Sequence, residues 1–426
     1  MTTELNATHD PERRSWLSSA NAPGSDFPIQ NLPFGTFRTA ETGPRVGVAL
    51  GDRIIDLSRL EAALQDCVWA TGATDLSCVI AQPPAAVSAL RARLSEIYSE
   101  GSSERPAGEA ALVPMAEAEM LLPVKPPAFT DFCSSIEHIR RMAANGGRPI
   151  PLSAERLPVS YNSRASSVAV SGTPLVRPVG QYEFPPNSGQ VVYGPERRLD
   201  YELELGVWLR GGNALGHPIS VAEAEAMMFG CSLLNDWSAR GIQFFESMLG
   251  PHLGKSFLTT VSPWVVTMEA LAPFRVAARG RTDDEAAVPA HLFDRGDRSA
   301  GALSIRMTAD LQTRDSGPVR IATTGFETMF WTLAQMVAHQ ASSGAPLELG
   351  DLMGSGTVSG PADDARACLA EYNERGTRPV IFPDGSKRSW LEDGDTLTLR
   401  AKAHAEGFVS IGFGDCAGTV APAVVS

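Results

Sequence analysis

The sequence predicts a mainly β, α+β chain built as a small domain followed by a larger one. At 426 residues it exceeds the size at which a single hydrophobic core stops growing, so two domains are expected. Its 39 glycines and 31 prolines exceed their usual share of about 12% of residues, which favours turns and short strands over long helices. Alternation of apolar and polar residues recurs along the chain, as strands require.

Residues 1 to about 24 are polar and carry Pro11, Pro23 and Gly24, so they should wrap the surface with little regular structure. From Arg45 to Leu57 two alternating runs flank Gly51-Asp52, the pattern of a hairpin. Helical patterns follow at roughly 59–69 and 85–99, and the Pro- and Gly-bearing segment from Glu104 to Pro114 opens the expected boundary region. The division is drawn as a tail over 1–24, an N-terminal domain over 25–118 and a C-terminal domain over 119–426. Beyond it, Ser167 to Ser171 and Tyr201 to Leu209 read as half-buried strands. Capping boxes Ser134-x-x-Glu137, Ser220-x-x-Glu223 and Thr324-x-x-Glu327 mark three helix starts. Turns at Pro383-Asp-Gly385 and Glu392-Asp-Gly-Asp395 return the last quarter to strands.

Hydrophobic residues at 43% and charged residues at 20% describe an ordinary globular chain. A net charge of -13, with 36 basic residues in no stripe, argues against a nucleic-acid partner and suits a hard divalent cation or plain solubility. Six scattered cysteines form no C-x-x-C pair and read as reduced thiols of a cytoplasmic protein. No stretch approaches 18 apolar residues, so neither secretion nor membrane insertion is expected.

Asp200-Tyr-Glu202-Leu-Glu204 is the most suggestive local feature, because a strand's period of two puts all three carboxylates on one face. Like-facing neighbours roughly 6.5–7 Å apart could bracket a cation, or the strand face could simply be solvated. Asp131 precedes the Ser134 box at a strand-to-helix junction, where it could ligate a metal or cap the helix. His138 falls at the fourth position of that helix if Ser134 caps it, where a neutral imidazole is favoured. It could serve as a base or be a structural histidine. A helix opening at Asp236 would put Arg240 and Gln243 on its face, as a site or as a surface ion pair. Lys255 could stabilise developing negative charge. The glycine-rich loop 354–360 matches no nucleotide motif, and neither G-x-S-x-G nor H-E-x-x-H occurs, so any metal would be held by oxygen.

Taken together, the strings SDFPIQNLPFG at 25–35, RASSVAVSGTP at 164–174, LDYELE at 199–204, NDWSAR at 235–240, GKSF at 254–257, TVSPWVV at 260–266, GDLMGSGTVSGP at 350–361 and IGFGDCAG at 411–418 resemble the fumarylacetoacetase family. The resemblance runs from about Ser25 to Pro422. It implies an SH3-like barrel before a mixed β-sandwich roll, a homodimer, and a calcium or magnesium ion in the larger domain. Asp131, Glu202, Glu204 and Asp236 are the implied ligands, with Lys255 and Thr259 beside them and Asp200 in support. It also implies His138 as general base oriented by Glu371, with Arg240, Gln243 and Lys255 stabilising the oxyanion. Cys133, Arg148, Tyr161, Gln243, Ser247 and Thr357 would contact substrate.

The implied reaction is hydrolysis of the carbon-carbon bond of a β-diketone acid, foremost fumarylacetoacetate to fumarate and acetoacetate at the end of tyrosine and phenylalanine breakdown. The chain departs from the family's pattern around the pocket. Cys133 and Ser247 stand where tyrosines are usual, Asn162-Ser163 where His-Gly is, Gly241 where Asp is, and Leu258 where Gly is. A shortening after His138 leaves Arg148 as the expected carboxylate clamp. These departures keep two alternatives open: a related acylpyruvate or β-keto-acid hydrolase or decarboxylase, and a non-catalytic metal-stabilised dimer.

Overall fold

The computed structural model describes residues 4–374 and 376–424. Strands β1 (Phe34–Thr39), β2 (Thr42–Leu50) and β3 (Arg53–Asp56) form a meander, and Leu50 pairs with Arg53 across the expected Gly51-Asp52 turn. The helix α1 (Pro84–Ile97) buries Leu90, Leu94 and Ile97 beneath this sheet; its proline-led start needs no amide donor. The earlier helical pattern at 59–69 breaks into short turns around Gln65–Cys67 and Val68–Thr71. β4 (Leu112–Pro114) and β5 (Glu119–Leu121) close the sheet in the order β4-β3-β2-β1-β5. The sheet thus runs through Leu121, beyond the division drawn at 118, because the edge of β1 supplies β5 with its hydrogen bonds.

The larger part begins with β6 (Phe129–Cys133), α2 (Ile136–Asn145), β7 (Val159–Ser163) and β8 (Val168–Val170). β9 (Leu203–Leu209), β10 (Met228–Asp236), α3 (Arg240–Phe245) and β11 (Thr259–Val261) follow. With β12 (Leu352–Gly354) they build one mixed sheet in the order β7-β6-β12-β9-β10-β11-β8. A second, antiparallel layer contains Ile305–Gln312, Val319–Gly325, Thr396–Ala403 and Cys416–Ala421. The expected mainly β, α+β class is the one observed.

β9 is buried along its whole length, not half-buried as its alternation suggests. Leu203, Leu205, Val207 and Leu209 face the core shared with the second layer, while Trp208 faces the core shared with the N-terminal sheet. A strand covered on both faces can hold a carboxylate only where neighbouring groups satisfy it. That constraint selects the site.

Three local expectations are corrected. The cap of α2 is Ser135, which accepts the His138 amide; Ser134 donates instead to the Met336 sulfur. His138 therefore sits at the third helical position. Thr324 lies within a strand, and its predicted helix is a single turn over Phe326–Thr328. The Ser220 box does form as written. The tail also carries more than surface: Thr8, His9, Ser15 and Ala20 are buried, and Thr8 accepts from the interior Arg91.

Candidate active site

Register brings the carboxylates together. β12 lies between β6 and β9, with Gly354 level with both Asp131 and Gly206. Glu204 is opposite Leu234 on β10, so Asp131, Glu204 and Asp236 project from one face of one end of the sheet. Asp236 ends a strand, where a helix start was expected; α3 opens four residues later, at Arg240. The strand is also interrupted between Asp200 and Leu203, which turns Asp200 away from the other two acids. Asp200 takes Arg240 Nε at 2.9 Å and the amides of Leu369 and Ala370, a supporting position.

Asp131, Glu202 and Asp236 each offer an oxygen within 4.8 Å of the others. Tyr161 Oη lies 2.7 Å from Asp131 Oδ2 and 2.6 Å from Asp236 Oδ2. Asp236 also accepts from Thr259 Oγ1 at 2.8 Å and from Lys255 Nζ at 2.7 Å. Glu202 is held by Lys255 and by Arg240 Nη2, the latter at 2.8 Å. Glu204 accepts the Gly356 amide at 2.9 Å. Side-chain atoms at Gly354 would have no room, since a Cβ there would meet Asp131 Oδ1 at 2.4 Å.

Of the four acids, only Glu202 and Asp236 are paired with a cation among the described residues, Glu202 with Lys255 and Arg240 and Asp236 with Lys255, and Arg240 is shared again with Asp200. Burial, then the Asp236 charge, pushes the Asp131 carboxyl well above the usual range; burial and Asp131 do the same to Glu204. Burial would raise Glu202 too, but Lys255 and Arg240 outweigh it and hold it low. Asp131 Oδ1 and Glu204 Oε1 are buried with no hydrogen-bond donor. Unpaired oxygens, excess negative charge and an all-oxygen donor set are what a hard divalent cation satisfies. The residues fit such an ion.

A second group adjoins this one. His138 Nδ1 lies 2.6 Å from Glu371 Oε1, which also accepts from Ser359 Oγ at 2.6 Å, and Arg141 donates to Oε2 at 3.1 Å. Glu371 is fully buried; burial would raise its carboxyl, but His138, Ser359 and Arg141 hold it below the usual range. Cys368 stands beside it as a buried thiol whose proton is tightly held, a poor metal ligand. Burial, then Glu202, Asp131 and Glu371, pushes the thiol of Cys133, the last residue of β6, up to about 12.

The remaining expected residues divide. Gln243 accepts from Arg240 Nη1 at 3.0 Å, and Thr357 is buried in the segment after β12. Ser247 is exposed and bonded to the Phe244 carbonyl, and Arg148 is exposed with no side-chain hydrogen bond among the described residues. The structure thus does not bring Ser247 or Arg148 into the cluster: both are exposed, Arg148 on the segment that follows α2. Leu258 belongs to the core. Ser359, Arg141 and Glu196 escaped the sequence reading. Only Arg141 carried a signal, its i+3 spacing from His138 on one helix.

Glu196 accounts for the glycine at 241. Its buried carboxylate accepts the amides of Arg198 and Ile242, and a Cβ at Gly241 would meet it at 2.6 Å. A side chain at 241 would therefore collide with a carboxylate supplied from another segment.

The sequence matches the model described as Fumarylacetoacetate (FAA) hydrolase C-terminal over residues 128–421 and the Fumarylacetoacetase N-terminal model over 30–123. The chain belongs to the fumarylacetoacetase family. Fumarylacetoacetase of Oryza sativa subsp. japonica is 38% identical over 422 residues, covering 95% of this chain and 96% of its own. That of Homo sapiens is 38% identical over 419 residues, covering 95% and 98%. Among solved structures, a fumarylacetoacetate hydrolase from psychrophilic Exiguobacterium antarcticum aligns with TM-score 0.51 at 16% identity, over 92% of this chain and 99% of that one, a likeness of fold.

Proposed function

We propose that this fumarylacetoacetase-family chain hydrolyses the carbon-carbon bond of a β-diketone acid, with fumarylacetoacetate as substrate and fumarate and acetoacetate as products. The observation that carries the reading is the buried His138-Glu371 pair adjoining a cluster of under-compensated carboxylates. Kinship with fumarylacetoacetases over 95% of the chain supports the reaction class.

Asp131, Glu202, Glu204 and Asp236 would hold the cation, calcium or magnesium. When bound, it supplies a Lewis acid that polarises the diketone oxygens. His138 takes a proton from water at Nε2 while Nδ1 stays on Glu371, and the water oxygen bonds to the carbonyl carbon. Arg240, Gln243 and Lys255 stabilise the alkoxide that forms. As it collapses, the carbon-carbon bond breaks and its electron pair leaves as an enolate. The imidazolium returns its proton to that carbon, which closes the proton balance.

In this reading Lys255 and Thr259 position Asp236. Tyr161, Cys133 and Thr357 line the substrate side. On the same reading the chain works as a homodimer in the cytoplasm, with neither nucleic acid nor membrane as partner. The two domains divide between Leu121 and Phe129.

Purified protein with Mg²⁺ or Ca²⁺ should consume fumarylacetoacetate, followed by loss of diketone absorbance. No turnover of that compound, with turnover of another keto acid, would overturn the substrate.

A further inference from the structure

Glu371 is gripped from a side that the reaction scheme leaves unused. His138 and Arg141 stand three residues apart on α2, a spacing that puts both side chains on one helix face. Both reach Glu371. His138 meets Oε1 and Arg141 Nη1 donates to Oε2, while Ser359 Oγ adds a second donor to Oε1. Arg141 Nη2 continues to the carbonyls of Pro361 and Ala362, each at 3.1 Å. These residues end the segment after β12 that carries Gly356, Thr357 and Ser359. One guanidinium therefore joins the helix of His138, the carboxylate behind it and the segment beside the carboxylate cluster.

We infer that Arg141 is a positioning residue for the His138 base. It fixes Oε2 of Glu371, the oxygen that His138 and Ser359 leave, and keeps that carboxylate anionic. The imidazole proton then stays on Nδ1, and Nε2 carries the free lone pair. The inference rests on the reading of His138 as base.

The physical reason is the environment of Glu371. A fully buried carboxylate is retained as an anion only with donors on it, and removing a donor leaves it to turn or to take up a proton from solvent. A protonated Glu371 would donate to Nδ1 of His138 instead of accepting from it. The imidazole would then hold its own single proton on Nε2, unable to accept from water. Arg141 opposes that proton uptake by placing a permanent cation on Oε2, with a second prong on the Pro361 and Ala362 carbonyls that a lysine reproduces only in part. A purely structural tie between α2 and the Pro361 carbonyl would need neither the contact to Oε2 nor the charge.

The test compares Arg141→Met and Arg141→Lys in the full-length, metal-loaded protein with ¹⁵N-labelled histidine; His138→Gln assigns the resonances. In the parent, His138 should show a protonated Nδ1 and a bare Nε2. Arg141→Met should mix the tautomers and lower kcat on the diketone by on the order of tenfold to a hundredfold, with KM little changed. Arg141→Lys should restore the parent tautomer and part of kcat. Should the methionine variant not fold, Arg141→Gln, which keeps donors but not charge, takes its place. Unchanged His138 resonances in the uncharged variant, or equal losses of kcat in the uncharged and lysine variants, overturn the inference. A parent that turns over no diketone defeats the hydrolase reading instead, while the tautomer still decides the role of Arg141.

Discussion

In the proposed reaction the proton leaving water goes to an imidazole whose far nitrogen lies 2.6 Å from a buried carboxylate. His138→Ala should therefore lower kcat by on the order of 10²- to 10⁴-fold while leaving the melting temperature nearly unchanged, since general-base removal costs that much. Full activity in this variant would remove His138 from the mechanism. Several residues that the structure gathers here were singled out in the sequence: Glu202, Glu204 and Asp236 within matched strings, Asp131 and His138 beside a helix start, and Glu371 through alignment alone. Ser359, Arg141 and Glu196 were not, because each acts across more than ten residues of sequence on a partner that only folding supplies. Arg148 shows the converse. Its charge suited a carboxylate clamp, yet its exposed place after α2 makes Arg148→Ala a substitution expected to leave KM close to the parent value in a steady-state assay.

Helix α3 depends on a carboxylate that it does not contain. Glu196→Ala should strip the Ile242 and Arg198 amides of their acceptor and destabilise the fold by about 1–3 kcal/mol in denaturant unfolding. Gly241→Asp should also destabilise, because it drives a second carboxylate into the first. The double variant Glu196→Ala/Gly241→Asp should recover part of the loss, a coupling of about 0.5–3 kcal/mol. Simple additivity would show that the two positions do not substitute for each other. Elsewhere, the short helix Arg295–Ala300 carries Asp297, whose burial pushes its carboxyl up to about 6 although Thr332 donates to it at 2.7 Å.

Below the unfolded carboxylate range Asp297 is protonated in both states. As pH rises towards about 6 the unfolded chain ionises first, so the folded state loses relative stability, and above about 6 the loss is complete. Asp297→Asn should thus stabilise the fold at pH 7.5 by on the order of 1–3 kcal/mol, read as a higher melting temperature, and leave stability unchanged near pH 3.5. Element positions themselves were partly legible. The hairpin at Gly51-Asp52 and the Ser220 box formed as the local pattern requires. The boxes at Ser134 and Thr324 failed because Ser135 offers a better-placed acceptor and because Thr324 is claimed by a strand pair with Met307.

Across the whole molecule, the carboxylate cluster is held against its own repulsion by the strands that carry it. Removing divalent ions with a chelator should lower the melting temperature, and restoring Mg²⁺ or Ca²⁺ at a hundredfold excess over Kd should return about 2.7 kcal/mol. Asp131→Asn together with Glu204→Gln should abolish that response, and a response that persisted would place the ion elsewhere. The N-terminal strap belongs to the same scale. Asn6 and His9 bond to Glu269, Arg13 to Ser95 and Ser99, and Trp16 to the Ile97 carbonyl, so the tail read as a surface wrap also links α1 to the larger part. By itself the sequence determined the mainly β class, the family, the chemical types at the site and the hairpin and cap signals that act within a few residues. Those are local or inherited patterns, and they survive translation into one dimension. The tertiary structure alone decided that β9 is covered on both faces, that Asp200 turns away, that Asp236 ends a strand, and that Glu196 fills the space at Gly241. Each of these depends on register and burial between segments far apart in the chain, where hydrogen-bond satisfaction in a dry interior overrides local periodicity.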